Sequence, residues 1–349
     1  MTQITHRGID SSPDTSAAFK QSTFRIGAQF SRFPTHAEQD LQHSIKAALA
    51  AGFTAITINS LPLEMQNSTQ QELRDVVAEL HSADIELTLG LGSAGPVGDP
   101  LALRSEACTA LELGLELGCR NYFFYTRSIR DTSHSQQLRQ IRHTLKSLSP
   151  LAAQAGARIN LKTHEDLASG EVSAIVDSLD PAVFSIGLDV ANLVVRGEDP
   201  LAVTTKLADQ IGSTHLEDIV LFPIGTGYRR RLRPIGEGVL DYLRLLEVLW
   251  DAGVRTFTVE QHQGRFDTPV HDPSWFASEP HSDPVQLGAL AGYAWTTTQL
   301  AARGDIADLE NWDEEPSAES KLAQLKASAT NLSAVLSKLA ARTTASEES

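Results

Sequence analysis

Four consecutive β-rich segments between residues 158 and 260 each end in an acid or a histidine. The first ends in Lys162-Thr163-His164-Glu165-Asp166, and the next three supply Asp189, His215 and Glu260. Three carboxylates and one imidazole make a mostly oxygen donor set, which suits Mn²⁺ or Mg²⁺. Without a cation, carboxylates this close would repel one another. The sequence therefore predicts that Glu165, Asp189, His215 and Glu260 bind one Mn²⁺ ion, with Mg²⁺ or Co²⁺ as alternatives.

The same segment ends offer candidates for catalysis. A histidine titrates near working pH, so His164 could act as a general acid or base, or could simply donate a hydrogen bond to its neighbours. Lys162 could stabilise a developing oxyanion or could form an ion pair inside the fold. The predicted catalytic residues are His164, Lys162, Glu165 and Glu260.

A basic stretch follows the segment that holds His215. It reads Arg229-Arg230-Arg231-Leu232-Arg233-Pro234 in a chain with a formal net charge of -15. A basic loop beside a cluster of acids indicates an anionic or polyhydroxylated substrate. A solvated loop that pairs with surface acids would give the same pattern. Arg233, held by Pro234, is the predicted substrate contact, and Asn192 and Glu217 are two further candidates.

Short β-rich runs alternate with longer helical runs between residues 24 and 303. Eight strands are predicted, at residues 24–30, 54–59, 85–91, 121–125, 158–163, 184–189, 213–216 and 256–260. Glycine near the end of the intervening helices, as in Ala51-Gly52-Phe53, marks the repeated helix-to-strand turn. This alternation is typical of βαβ units. It predicts a closed (β/α)8 TIM barrel rather than an open doubly wound sheet, because the glycine-rich dinucleotide fingerprint is missing.

The two ends of the chain lie outside the predicted barrel. Residues 1–23 are rich in Ser, Thr and Gln and are predicted to be a disordered lead without a signal peptide. Residues 304–349 are predicted to be a C-terminal extension with one amphipathic helix. Its apolar positions are 322, 325, 329, 332, 336 and 339. These positions form one apolar face, which predicts either that the helix packs on its own barrel or that it forms an oligomer contact.

The whole-chain composition excludes several function classes. Acidic residues outnumber basic ones by 44 to 29, and so acidic a surface repels nucleic acids and anionic membranes. No run of about 18 apolar residues occurs, so no membrane span is predicted and the cytoplasm is the expected location. Cys108 and Cys119 lie too far apart in one predicted helix for a disulfide and are expected to be small buried hydrophobes.

The site residues resemble those of the sugar-phosphate isomerase/epimerase superfamily, the xylose-isomerase-like barrels. The resemblance covers about residues 24–303 and rests on Glu165, Asp189, His215-Leu216-Glu217-Asp218, Gly236-Glu237-Gly238 and Glu260. It implies that the matching Glu, Asp, His and Glu bind one divalent metal and that a base removes a proton beside a substrate carbonyl. Many members have a histidine three residues after the strand-six Asp, where this chain has Asn192.

A narrower resemblance is to the catalytic subunits of bacterial C-glycoside deglycosidases and to the related oxo-isoapionate decarboxylases. It rests on Lys162-Thr163-His164-Glu165-Asp166, Leu188-Asp189-Val190-Ala191-Asn192, Arg196-Gly197-Glu198-Asp199-Pro200 and Arg233-Pro234-Ile235-Gly236-Glu237-Gly238. Those enzymes cleave a C–C bond beside a ketone. The resemblance implies that His164 is the acid/base and that a small β-rich second subunit completes the enzyme, and an oligomer is expected.

Proton removal beside the carbonyl of an oxidised sugar gives an enediolate with several fates. Loss of the C1 substituent would make the chain a metal-dependent lyase of 3-oxo C-glycosides, which is the leading prediction. Reprotonation or carbonyl migration would make it a ketose or inosose epimerase or isomerase, and an oxo-sugar-acid decarboxylase would use the same site. A barrel-type phosphodiesterase needs more histidines at the strand ends, and a non-catalytic sugar-binding barrel is the remaining alternative.

Overall fold

A computed structural model describes residues 24–29, 41–59, 69–93, 100–127, 132–279, 283–313 and 316–347. The predicted disordered lead, residues 1–23, lies outside the described residues. The strands are β1 (Arg25–Gln29), β2 (Ala55–Ile58), β3 (Glu86–Ser93), β4 (Asn121–Tyr125), β5 (Arg158–Lys162), β6 (Phe184–Asp189), β7 (Ile211–Leu216), β8 (Asp218–Ile224), β9 (Gly227–Arg233), β10 (Thr256–Val259) and β11 (Phe266–Thr268). Parallel strands close a barrel in the order β1-β10-β7-β6-β5-β4-β3-β2. The predicted TIM barrel is confirmed, and each of its eight strands overlaps a predicted one.

Helices cover the outside of the barrel and connect its strands. They are α1 (Leu41–Ala50), α2 (Gln70–Ser82), α3 (Pro100–Glu116), α4 (His134–Ala155), α5 (Ser169–Val176), α6 (Val190–Leu193), α7 (Pro200–Leu207), α8 (Tyr242–Asp251), α9 (Pro273–Ser278), α10 (Pro284–Arg303) and α11 (Ala318–Glu347). Local sequence sets several of these ends. The side chains of Thr69 and Ser133 accept backbone N–H groups at the start of α2 and α4, and Gly156 ends α4 in the left-handed conformation.

Alternation along the strands separates the apolar core from the polar interior of the barrel. On β5, Ile159 and Leu161 belong to the apolar core that the strands share with the helices. Asn160 and Lys162 point the other way, because neighbouring residues of a strand face opposite sides. Inside the barrel Asn160 Oδ1 accepts a hydrogen bond from Ser185 at 2.7 Å. The strands therefore deliver polar side chains to the barrel axis and apolar ones to the core.

A second, antiparallel sheet lies beside the barrel, where the sequence was interpreted as loop. It contains β8, β9 and β11 in the order β11-β9-β8. The basic stretch 229–233 is therefore part of a strand and not a loop. Its arginines concealed the strand, although Arg230, Arg231 and Leu232 are all buried. Asp218 accepts the backbone N–H groups of Gly236 and Gly238 at 3.0 Å each, so this glycine motif fixes the chain after β9.

The C-terminal helix α11 packs on its own barrel. Leu325, Leu332 and Leu336 are fully buried in the apolar core, and the helix contacts α8, β1 and β10. Asn331 Nδ2 also donates to the Ile235 carbonyl at 2.7 Å. The interpretation that lays the amphipathic helix on its own barrel is confirmed, whereas an oligomeric assembly stays a prediction.

The two cysteines match the prediction only in part, because the helix that holds Cys108 ends at Glu116, before Cys119, and Cys108 is only partly buried. Cys108 and Cys119 are free, and Cys119 is buried. Burial raises the pKa of the Cys119 thiol to about 12, so this thiol is protonated and unreactive at neutral pH. None of the helices within the described ranges has the length and apolar content needed to cross a membrane.

Candidate active site

A cavity of about 250 Å³ opens at the carboxyl ends of the barrel strands. In TIM barrels this is the end where active sites lie, because side chains from several strands converge there. Lys162, His164, Glu165 and Glu260 all line the cavity, and so does Asn192. The structure therefore brings together all four predicted catalytic residues and one predicted substrate contact.

The base of the cavity is a buried cluster of charges. Lys162 Nζ lies 2.9 Å from Asp189 Oδ2 and 2.5 Å from Glu260 Oε2. His215 Nδ1 lies 2.9 Å from Glu260 Oε2, but it is not aligned to form a hydrogen bond. Burial lowers the pKa of Lys162, yet the two carboxylates outweigh it and raise that pKa overall. Burial and the nearby ammonium lower the pKa of His215, so the cluster is a cation held by two anions beside a neutral imidazole.

The predicted four-residue metal site does not form in this arrangement. Asp189, His215 and Glu260 converge, but the Lys162 ammonium lies between the two carboxylates. Glu165, the fourth predicted ligand, pairs with His164 at the mouth instead. Among the residues that the structure describes, no group of three or more His, Cys, Asp and Glu side chains is arranged to hold a metal ion. The donor set therefore does not fit Mn²⁺, Mg²⁺ or Co²⁺, because a second cation would meet the ammonium at contact distance.

Strand register explains why Lys162 reaches the base of the cavity and Glu165 does not. Lys162 is the last residue of β5 and is paired with Gly187 of β6, while Asp189 is paired with His215 of β7. All three side chains face the barrel axis on adjacent strands. Glu165 lies three residues beyond the end of β5 and is 31% exposed. The sequence identified the right strand but took the wrong residue of it for the inner position.

His164 forms the next layer of the cavity, above Lys162. Its Nδ1 atom lies 2.6 Å from Glu165 Oε2 and 3.7 Å from Asp166 Oδ1. Asp166 is itself held by Thr126 Oγ1 at 2.7 Å and by the Gln137 side chain. Burial lowers the pKa of His164, but the Asp166 and Glu165 carboxylates outweigh it and raise that pKa to about 9. His164 is therefore an imidazolium at neutral pH, with a proton to give.

We expect Asp166→Asn to lower the pKa of His164. The wild-type imidazolium should lose its proton, and its contribution to stability, as pH rises through about 9. With the Asp166 carboxylate removed, the same loss should occur at a lower pH. The measurement is an NMR titration of the His164 ring, with Asp75→Asn on the exposed face of α2 as the control. An unchanged titration in Asp166→Asn would contradict the conclusion that the Asp166 carboxylate raises the pKa of His164.

Two aromatic rings from β4 form one wall of the cavity. Phe123 and Tyr125 are stacked, with ring centroids 6.0 Å apart and planes 14° apart. The Phe123 ring lies 5.1 Å from the His215 ring, and the Tyr125 ring lies 5.2 Å from the His164 ring. The wall therefore extends from His215 at the base of the cavity to His164 nearer its mouth. An apolar wall facing charged groups orients a ligand that has one apolar and one polar side.

Arginine side chains from three segments line the cavity. They are Arg127, Arg230 and Arg265. Arg230 is 3% exposed, and its Nη1 donates to Asn192 Oδ1 at 2.7 Å and to the Ala191 carbonyl at 3.0 Å. Arg233, the predicted substrate contact, is not among the residues that line the cavity and pairs with Glu237 at 2.8 Å. The basic stretch does contribute an arginine to the site, but the residue is Arg230.

Glu217 lies beneath the cavity rather than on its surface. It is 2% exposed, and its Oε1 atom accepts the His262 backbone N–H at 2.7 Å and lies 2.7 Å from His262 Nδ1. Burial raises the pKa of Glu217, with His262 opposing it. His262 lines the cavity. Glu217, predicted as a substrate contact, is thus placed to act through His262.

Sequence reasoning missed several residues that line the cavity. Gln29 and Asn59 come from the ends of β1 and β2, and Tyr125 and Arg127 come from the end of β4. Their positions at strand ends could have identified these residues, since strand ends converge at one mouth of a barrel. They were missed because this rule was applied only to the last four strands of the barrel. Phe266, on β11, had no comparable signal, since this strand was interpreted as part of a long loop.

Comparison with known proteins places this chain in a family. Residues 45–279 match the family model described as Xylose isomerase-like TIM barrel. The chain belongs to this family. The proteins that resemble this chain include an L-ribulose 3-epimerase and an inosose dehydratase.

Two curated relatives resemble parts of the barrel. The 3-oxo-isoapionate decarboxylase of Pectobacterium atrosepticum is 25% identical over 165 residues, which cover 46% of this chain and 56% of the relative. An inosose dehydratase of Bacillus anthracis is 32% identical over 80 residues, which cover 22% of this chain and 26% of the relative. The matched segments thus span about half or less of the curated relatives.

Solved structures resemble the whole barrel at low identity. An L-ribulose 3-epimerase superposes with a TM-score of 0.58 at 15% identity, covering 93% of this chain and 98% of its own. The IOLI protein with a binding zinc atom has a TM-score of 0.54 at 15% identity, covering 81% of this chain and 100% of its own. At this identity the likeness shows the fold alone, and the second structure shows that a related barrel binds a divalent metal.

Proposed function

We propose that this chain is a carbon–carbon lyase that decarboxylates an oxidised sugar acid. In this substrate a ketone lies next to the carbon that bears the carboxylate. The observation that carries the proposal is one cavity that holds a buried ammonium, an imidazolium and arginines. Such a set binds a carboxylate at the mouth and stabilises negative charge on a carbonyl oxygen at the base. The partial similarity to a 3-oxo-isoapionate decarboxylase supports the same reaction class.

Each step of this reaction has a group in the cavity. The C–C bond to the carboxylate breaks, CO₂ leaves, and the bond's electron pair forms an enolate whose charge rests on the former ketone oxygen. Lys162 uses two N–H groups for Asp189 and Glu260, and an ammonium has a third to donate to that oxygen. His164 then gives its proton to the enolate carbon. The product is a ketone one carbon shorter, and no oxidant or reductant is needed.

The carboxylates of the site hold these two cations in place. Asp189 and Glu260 fix the Lys162 ammonium at the base, and Glu165 and Asp166 keep the His164 imidazolium protonated. None of these acids is needed as a base in a decarboxylation, since the reaction begins with bond cleavage rather than with proton removal. Their roles are therefore electrostatic.

The aromatic wall favours a second candidate, cleavage of a 3-oxo C-glycoside. The stacked Phe123 and Tyr125 rings could pack against an aryl substituent at C1. In that reaction Glu260 or Glu165 removes the C2 proton, and the aryl group leaves with its bonding electrons and takes a proton from His164. The same cavity would then need a base as well as an acid, and its arginines would have no anionic partner on a neutral glycoside.

A comparison of three substrates tests the proposal. Purified protein would be offered a 3-oxo sugar acid, a 3-oxo C-glucoside and a neutral keto-hexose, with products followed by proton NMR in D₂O. The account predicts a shortened ketone from the sugar acid and no reaction of the keto-hexose. Release of the aglycone with no reaction of the acid would favour the second candidate. Deuterium exchange or a new epimer of the keto-hexose would instead establish an epimerase or isomerase.

We expect Arg230→Met to raise KM for the sugar acid by roughly 10- to 100-fold, the worth of a charge-assisted contact of about 1.5–3 kcal/mol. The change in kcat should be small, because we expect this contact to be equally strong in the bound acid and in the transition state, and the loss of such uniform binding raises KM without lowering kcat. The matched control is Arg233→Met, since Arg233 pairs with Glu237 outside the cavity. Equal effects of the two substitutions on KM would contradict a role for Arg230 in anion recognition.

A further inference from the structure

The base of the cavity holds an ammonium where the predicted ligands would hold a metal ion. The side chains of Lys162 and Asp189 are each 4% exposed and that of Glu260 is 8% exposed, so this ion pair is removed from water. We propose that the Lys162 ammonium takes the place of the divalent metal ion, so that this active site works with an internal cation and binds no metal. This replacement would hold for either reaction proposed above.

The barrel register gives Lys162 this position. Lys162 on β5 is paired with Gly187 on β6, and glycine at this inward position adds no side chain beside the lysine. A Cβ atom on Gly187 would lie 3.4 Å from Lys162 Cα and 3.3 Å from Ser213 Oγ. Glycine at this position therefore keeps the space beside the lysine backbone free of a side chain. The strand pairing places Lys162 beside β6, and Asp189 and Glu260 hold its ammonium.

Asp189 is surrounded by hydrogen-bond donors. Its Oδ2 atom contacts Lys162 Nζ and accepts from Asn192 Nδ2 at 2.8 Å, and its Oδ1 atom accepts the Asn192 backbone N–H at 3.2 Å. The orientation of the Asn192 amide is fixed, because its oxygen accepts from Arg230 Nη1. Asn192 therefore presents N–H groups to Asp189 and cannot add an oxygen ligand there. Both oxygens of this carboxylate are engaged by protons rather than directed at an open coordination site.

The remaining predicted ligands do not supply the metal-binding oxygens that Asp189 lacks. Glu165 lies beyond the end of β5 and is paired with His164 at 2.6 Å. His215 contributes a neutral imidazole beside Glu260. A divalent ion in contact with Asp189 and Glu260 would have to displace a buried ammonium or lie against it. Because the ammonium already neutralises one of the two carboxylates, these three side chains keep a net charge of −1, too little to balance a divalent ion.

Metal content and thermal stability test the replacement without substrate. Wild-type protein should carry no stoichiometric metal when its metal content is measured by inductively coupled plasma mass spectrometry. Its melting temperature should not respond to EDTA, Mn²⁺ or Zn²⁺. Lys162→Glu would place a fourth ligand group beside Asp189, His215 and Glu260 and remove the competing cation. We expect Mn²⁺ or Zn²⁺ to raise the melting temperature of this variant by roughly 5 °C or more.

Two further variants keep the outcome decisive. Lys206→Glu makes the same charge change on the exposed surface of α7 and should gain no response to metal. If Lys162→Glu does not fold, Lys162→Gln removes the cation with less repulsion and should bind metal through the remaining donors. One metal ion per wild-type chain, or a wild-type melting temperature that falls with EDTA and recovers with Mn²⁺, would overturn the proposal. So would the absence of any metal response in both lysine variants.

These readouts separate the inference from the proposed function. Neither metal content nor melting temperature depends on which sugar the cavity accepts. A protein that fails to decarboxylate the sugar acid can therefore still be metal-independent. Conversely, a wild-type protein that contains metal and decarboxylates the acid would overturn the proposal that the ammonium replaces the metal, but it would leave the proposed function standing.

Discussion

We expect His164→Gln to lower kcat for decarboxylation by about 10²- to 10⁴-fold, the usual worth of a positioned general acid. His164 lines the cavity and is protonated at neutral pH, since nearby carboxylates raise its pKa to about 9. Glutamine keeps a similar volume and an N–H group but has no proton to transfer. The enolate would then have to take its proton from water. The measurement is the initial rate of formation of the shortened ketone at saturating sugar acid.

The pH dependence of the wild-type enzyme gives an independent check on this role. A rate that depends on the His164 proton should fall as pH rises through about 9, and this alkaline limb should be absent from the residual activity of His164→Gln. The matched control is His143→Gln on the exposed side of α4, which should leave both the rate and the limb unchanged. A His164→Gln variant with near wild-type kcat would remove His164 from the mechanism.

We expect Lys162→Met to lower kcat by about 10²- to 10³-fold, the cost of removing one preorganised group beside a developing oxyanion. Methionine fills a similar volume without charge. The substitution also leaves Asp189 and Glu260 buried without their cation, so we expect a loss of stability of about 3–5 kcal/mol. The rate must therefore be measured on protein shown to be folded by circular dichroism, and the stability by urea unfolding.

The two effects of Lys162→Met distinguish a catalytic lysine from a structural one. Loss of stability with an unchanged kcat would mean that Lys162 is only an ion pair inside the barrel, which is the alternative that the sequence left open. Loss of both supports the oxyanion role. Lys206→Met, at an exposed position on α7, is the control for removing a lysine charge and should change neither quantity.

The barrel and its C-terminal helix were predictable because periodic signals are local. Apolar alternation in the strands, glycine at the helix ends and the leucine spacing of α11 are each encoded within a few residues. The strand-end rule then brought Lys162, His164, Asp189 and Glu260 to one mouth without any knowledge of contacts. Membership of the xylose isomerase-like family agrees with the predicted barrel.

The inner arrangement of the site was not predictable, because it depends on register. Whether Lys162 or Glu165 lies at the base is decided by which residue of β5 faces the axis, and sequence pattern leaves strand ends uncertain by a few residues. The role of Arg230 was concealed for a similar reason. A strand rich in arginine lacks the apolar alternation of ordinary strands, and the pairing of β9 with β8 and β11 is non-local. The small β-rich second subunit implied by the resemblance stays a prediction.

The most direct test of the account is the fate of the substrate's carboxyl carbon. The sugar acid would be prepared with ¹³C at the carboxylate and incubated with the wild-type chain in D₂O. The account predicts that the label leaves as CO₂ and bicarbonate, that the shortened ketone carries one deuterium at the adjacent carbon, and that Lys162→Met and His164→Gln release little label. Label that stays in the acid while deuterium enters beside the ketone would show an epimerase or isomerase and contradict carbon–carbon cleavage.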